Sequence, residues 1–272
     1  MWTIVYHTAI YCDSLREKKV VVKLQNINLE RENIMIRVTV WNEFHHERVN
    51  SEVKAIYPEG MHKVIADFLE SDDIKVRTAT LWEEECGLTE EVLKDTDVLI
   101  WWGHCKHALV PDEIAERVRD HVRAGMGFIA LHSSHLCKPF KLLMGTSCCL
   151  SWRMDDMERV WNIKPAHPIT QGLDRYFEIP RDEVYAEPFG IPEPDEVVLI
   201  GWFEGGEVFR SGCTFHRDNG KIFYFQPGHE TFPVYYDKNV QTIIRNAVYW
   251  AKPVIRTETV SCINIKRIGT EE

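Results

Sequence analysis

The chain predicts an α/β fold: a mostly parallel, doubly wound sheet with helices on both faces and extra antiparallel strands in the second half. Three observations carry this. Apolar runs at residues 36–41, 74–80, 98–102 and 128–131 alternate with segments of helical period, the pattern of parallel strands joined by crossover helices. Two of the runs, Val-Leu-Ile-Trp-Trp and Phe-Ile-Ala-Leu, are apolar at every position, as strands covered on both faces must be. The 272 residues, 44% hydrophobic and 27% charged, can bury one large core.

Residues 1–34 hold no sustained strand or helix period and read as an N-terminal extension, poorly ordered or upstream of a misassigned start. Met35 opens the first strand. A polar turn, Asn42-Glu43-Phe44-His45-His46-Glu47, leads through Tyr57-Pro58-Glu59-Gly60 to a helix over 61–69, where Val64, Ile65 and Phe68 share a face. Residues 74–80 form the second strand, Thr89 caps a short helix to Leu93, and 98–102 is the third strand. Pro111, Asp112 and Glu113 open the next helix, since proline and acidic side chains favour an amino end, and Gly125 stops it. After the fourth strand, residues 135–143 turn back as a helix ending near Gly145.

In the second half, strand signals fall at 160–163, 197–203, 208–215 and 222–225, with Asp218-Asn219-Gly220 as a tight hairpin turn between the last two. Residues 239–250 form a closing helix that buries Val240, Ile243, Ile244, Ala247 and Val248. One domain therefore spans 35–251, and the tail over 252–272 is expected to fray. Right-handed crossovers make the core flavodoxin-like.

Composition narrows the function. With 32 basic against 42 acidic residues the net charge is −10, and no Lys/Arg stripe is present, which argues against nucleic acid or an anionic membrane as partner. No apolar run reaches the ~20 residues that cross a bilayer, and the first residues lack a secretory pattern. Eight cysteines without a Cys-x-x-Cys spacing read as reduced thiols in a cytoplasm. Gly125-Met126-Gly127 precedes a strand rather than opening a helix, and Gly205-Gly206 lacks the phosphate-loop order, so no intrinsic nucleotide cofactor is expected.

Two His-x-x-His pairs carry the chemistry. His104 with His107 and His132 with His135 each follow a buried strand, which places them at the carboxyl edge where open α/β sheets bind ligands. Neutral imidazoles gathered there suit proton transfer or a divalent metal, zinc or manganese. His46, His104, His107 and His135 are the candidate metal ligands. His132, His229 and Glu43 are the candidate catalytic groups, with Glu43 also able to steady a metal-bound histidine. Asn42, Phe44, Trp102, Ser133, Glu183, Tyr185 and Glu230 are the candidate substrate contacts, Glu183 and Tyr185 sharing a strand face by the two-residue period.

The motifs Trp41-Asn42-Glu43-Phe44 with His46, Tyr57-Pro58-Glu59-Gly60-Met61-His62, Trp101-Trp102-Gly103-His104 with His107, Leu131-His132-Ser133 with His135, His167-Pro168-Ile169, Asp182-Glu183 with Tyr185, and Phe223 through Glu230 together resemble the ThuA family, named for trehalose utilisation. The resemblance spans about residues 35–251. It implies a fold like that of class I glutamine amidotransferases and a role in carbohydrate metabolism, as an isomerase or hydrolase of a sugar or keto-sugar. A non-catalytic sugar-binding subunit beside a separate sugar dehydrogenase is the alternative, and a homo-oligomer is expected. Where the amidotransferases carry a nucleophilic cysteine in a Gly-x-Cys-x-Gly turn, this chain has Ala130-Leu131-His132-Ser133-Ser134, so glutaminase chemistry is not expected. A thiol hydrolase would have to use Cys105 or Cys137.

Overall fold

The structure, a computed structural model, describes residues 35–258 and 260–261; the expectation for residues 1–34 lies outside them. The described chain runs β1 (Ile36–Asn42), α1 (His46–Val49), α2 (Ser51–Ile56), α3 (Met61–Leu69), β2 (Ile74–Thr80), α4 (Glu90–Lys94), β3 (Val98–Trp102), α5 (Asp112–Arg123), β4 (Gly127–Leu131) and α6 (Lys138–Met144). It continues with β5 (Ser151–Asn162), β6 (Tyr176–Ala186), β7 (Glu196–Phe203), β8 (Val208–Arg217), β9 (Gly220–Phe225) and α7 (Lys238–Ala251).

All nine strands join one sheet in the order β2-β1-β3-β4-β9-β8-β7-β5-β6. The first five are parallel neighbours in the flavodoxin-like order, with β9 as fifth strand, and the remaining pairings are antiparallel. Alternation along β3 and β4 divides the core in two. Val38, Ile100, Trp102, Ile129 and Leu131 pack under α3 and α7, whereas Leu99, Trp101, Phe128 and Ala130 pack under α5 and α6. Trp101 and Trp102 thus lie on opposite faces, Trp101 stacked on Trp41 with centroids 3.9 Å apart.

Helix ends follow local chemistry. Thr89 accepts from Val92 N–H, Asp237 accepts from Asn239 and Val240, and Gly145 ends α6 in the left-handed conformation. The polar turn after β1 holds two short helices that its lack of apolar period concealed, the second capped by the Asn50 side chain. A 3-10 turn over His132–Leu136 precedes α6, which begins at Lys138 rather than near residue 135.

The largest difference is β5, twelve residues long where the sequence signals only 160–163. Two register shifts against β6 break the alternation between Arg153 and Glu158, and Asp155 takes a positive φ of 66°. The tail also differs: Arg256 donates to the Leu93 and Thr96 carbonyls, both at 2.6 Å, and Thr257 N–H donates to the Ala124 carbonyl at 2.9 Å. Gly125 permits this approach. Its φ is +126°, and a Cβ there would sit 2.1 Å from the Ile255 carbonyl oxygen. Gly125→Ala should therefore displace the tail and cost about 1–3 kcal/mol, read as a lower denaturant midpoint with earlier proteolysis after residue 251.

Candidate functional site

At the topological switch point, the chain leaves β1 and β3 in opposite directions and opens a crevice. Glu43 follows β1 there and is 1% exposed. The buried carboxylate accepts from the His104, Cys105 and Lys106 backbone N–H groups at 2.8–3.1 Å, which fixes the loop after β3. Burial alone would raise its pKa, but these donors hold it below the ordinary value. Trp102 fixes the facing loop, its indole N–H donating to the Gly228 carbonyl at 3.0 Å. Asp182 does the same from β6, accepting from Gly228 and His229 N–H at 2.8 and 3.0 Å.

His132 begins the strand-to-helix turn after β4 with φ +51°, a left-handed conformation uncommon for a residue other than glycine. Its Nδ1 lies 2.8 Å from the Gln226 carbonyl and its Nε2 lies 3.0 Å from a Glu183 carboxylate oxygen. Both partners are acceptors, so both ring nitrogens donate and the ring is an imidazolium paired to Glu183. Desolvation of the fully buried ring opposes the charge, yet Glu183 and Asp182 raise its pKa to about 9. The pair in turn holds Glu183 below its ordinary value against burial. His132 is 0% exposed, beneath Glu183 and Tyr185; it can position Glu183 but reaches no solvent.

A second carboxylate organises the other wall. Glu230 Oε1 is 2.9 Å from His104 Nδ1 and 2.6 Å from His46 Nδ1, and Oε2 is 3.5 Å from His229 Nε2. The His46 contact is an ion-pair approach without hydrogen-bond alignment, so His46 Nδ1 and Glu230 Oε2 are buried without a well-directed hydrogen bond. Burial would raise the Glu230 pKa, but His104 and His46 drive it far below. With Nδ1 of His104 given to Glu230, its Nε2 is left for the cleft. That cleft, about 250 Å³, is lined by His104, Ser133, His135, Leu136, Cys149, Leu150, Trp152, Glu183 and Tyr185.

The expected site residues fall into three groups. His46, His104, His132, Glu183, His229 and Glu230 converge: one ligating atom each from His104, Glu183 and His229 lie within 4.8 Å of one another, as do those of His46, His104 and Glu230. Ser133 and Tyr185 line the cleft with their hydroxyls 2.9 Å apart. The others stand back. Asn42 is buried with its amide spent on Glu47, His62 and Phe44 N–H, Phe44 packs edge-on to His62, and Trp102 is 1% exposed in the core. His135 does line the cleft, but its Nδ1 is tied to the Cys148 carbonyl at 2.6 Å, and neither it nor His107 enters a close group of ligand atoms among the described residues. Burial lowers both rings to about 4.

Glu158 on β5 is the member the sequence conceals. Fully buried, it accepts from Ser211, whose hydroxyl also lies 3.3 Å from Gln226 Oε1, and burial pushes its pKa well above the carboxylate range. It backs the strand end that holds His132, and its only signal is an acid in an irregular charged run. The described cysteines are all unbonded. Cys137 is buried as the α6 cap, and burial with Glu43 beside it pushes the Cys105 thiol up to about 12, so neither is poised as a thiolate.

Fold and site together define a flavodoxin-like α/β protein whose carboxyl-edge cleft is walled by two carboxylate–imidazole pairs. The ThuA family, described by trehalose utilisation, matches residues 37–251, and the chain belongs to it. A ThuA-like protein of Parabacteroides merdae ATCC 43184 shares the fold at TM-score 0.63 and 15% identity, over 83% of this chain and 93% of that one. Another, from Bacteroides uniformis ATCC 8492, does so at 0.55 and 17%, over 79% and 90%. A protein of Salmonella typhimurium LT2 described as cytoplasmic is similar at 0.53 and 14%, over 80% and 100%. At such identities the likeness shows fold alone. No curated protein sequence matches the chain. No helix among the described residues is long and apolar enough to cross a membrane.

The ion pair makes stability pH-dependent. The folded His132 pKa of about 9 exceeds the ordinary 6.5, so its charge contributes stability that is fully present below pH 6.5 and lost as pH rises through about 9. Glu183→Gln should bring the ring back toward or below 6.5 and flatten that slope. Ring-proton NMR titration and denaturation at successive pH values measure both.

Proposed function

We propose that the chain is an enzyme acting on a sugar or keto-sugar by proton transfer next to a carbonyl. What carries this reading is the meeting of two supported groups at one small cleft, a ligating atom of each within 4.8 Å of the other: Glu183, held ionised by His132, and His104, held by Glu230 with Nε2 left open. The Glu230–His104 arrangement is that of a carboxylate orienting an imidazole and steadying its cation, so that the far nitrogen can carry and give a proton. One of the pair removes the proton from the carbon beside the carbonyl. Glu183 is that base; His104, entering with a proton on each ring nitrogen beside Glu230, gives its Nε2 proton to the carbonyl oxygen, forming an enediol, and reversal at the neighbouring carbon returns both protons and completes an isomerisation with no net gain or loss. Family membership supports a carbohydrate as substrate, and a keto-sugar would come from a separate dehydrogenase. A cytoplasmic location accords with the Salmonella protein's description.

His132 and Glu43, though central, act through others: His132 through Glu183 and Glu43 through the loop bearing His104. His104→Ala and Glu183→Gln should each lower kcat/KM on a keto-disaccharide by about 10²–10⁴-fold. Wild-type rates in both variants would defeat the reading.

A second reading rests on a separate observation, the buried His46 Nδ1 and Glu230 Oε2, neither of which makes a well-directed hydrogen bond. His46, His104 and Glu230 form a two-imidazole, one-carboxylate set that fits zinc or manganese. A cation there would polarise a sugar carbonyl, and His104 would then be ligand while Glu183 remained the base. Elemental analysis of protein prepared without chelator should find about one equivalent, lost in the His46→Ala/Glu230→Ala double variant; metal-free, fully active wild type removes this reading.

A further inference from the structure

One aromatic side chain at the cleft is dressed for solvent rather than core. Trp152 is 65% exposed, the largest exposure of any tryptophan among the described residues, and it lines the same cleft as His104, Glu183 and Tyr185. Its placement is architectural. Trp152 is the direct cross-strand partner of Tyr185 in the β5–β6 pairing, so the two side chains leave the same sheet face, Tyr185 downward onto His132 and Trp152 outward at the rim. Leu150 and the partly exposed Leu136 continue the apolar wall beside it.

Cleft size sets what can reach that wall. The cleft holds about 250 Å³ with the exposed Trp152 on its rim, so a ring seated against His104 and Glu183 leaves the next ring of a disaccharide at that indole. A pyranose has an apolar C–H face that stacks on an aromatic plane, and an exposed indole at the rim of a cleft that holds His104 and Glu183 offers such a plane.

We infer that Trp152 is the platform for the second ring of a disaccharide whose first ring occupies the His104–Glu183 well, and that it makes the site select glycosides over free monosaccharides. The inference rests on the carbohydrate reading above and deepens it. Trp152 touches the part of the substrate remote from the reacting atoms, so it governs specificity rather than proton transfer.

The test uses the full chain, wild type, Trp152→Ala and Trp152→Phe, titrated calorimetrically with trehalose and with glucose, each in parent and keto form. Wild type should bind a disaccharide more tightly than its monosaccharide. Trp152→Ala should weaken disaccharide binding about tenfold and leave monosaccharide binding unchanged, with Trp152→Phe between, because an aromatic plane is retained. Unchanged thermal stability is expected of so exposed a position. Wild-type binding of a disaccharide that Trp152→Ala leaves intact, or a loss equal for disaccharide and monosaccharide, overturns the platform and spares the carbohydrate reading. Failure of every sugar to bind wild type overturns both.

Discussion

The pairing of Glu183 with His132 is the interaction on which the cleft depends. An imidazolium with no exposed surface exists only because a carboxylate and a backbone carbonyl take its two protons, and Glu183 stays ionised at the cleft only because that cation lies beneath it. Removing one partner of such a buried pair leaves an uncompensated charge, at a cost of roughly 3–5 kcal/mol. The pair therefore fixes the β4 turn, the β6 strand and the end of β9 relative to one another. The positive φ at His132 is one local strain that this mutual constraint sustains.

The other wall is built by the same logic with different parts. Glu43 gathers three backbone donors, Asp182 takes the N–H groups of Gly228 and His229, and Trp102 takes the Gly228 carbonyl, so the loops after β1, β3 and β9 are held by buried hydrogen bonds. Buried polar groups demand partners, and here the demand gives rigidity to segments that would otherwise be mobile. His46 Nδ1 and Glu230 Oε2 are among the buried polar atoms left without a well-directed hydrogen bond.

Much of the fold was legible. The bounds of α3, β2 and β3 followed from apolar period, Thr89 and Gly145 marked helix ends, and Asp218-Asn219-Gly220 marked the hairpin. Strand β5 was mostly hidden because its bulges reset the alternation on which strand recognition relies, and Glu158 and the orientation of Trp152 were hidden with it. The histidines announced a site, but their division of labour did not follow from spacing. His132 and His135 are three residues apart, yet one pairs with Glu183 across 51 positions and the other binds a local carbonyl.

By itself the sequence determined most elements of the parallel half and the strand edge at which the histidines gather, because backbone period and strand burial are local properties that successive side chains record directly. Only the tertiary structure decided which imidazole is cationic and buried, which faces the cleft, and which carboxylate each one answers to. Charge states and access depend on neighbours contributed by β1, β3, β4, β6 and β9, and no local pattern encodes a distance between groups that far apart along the chain.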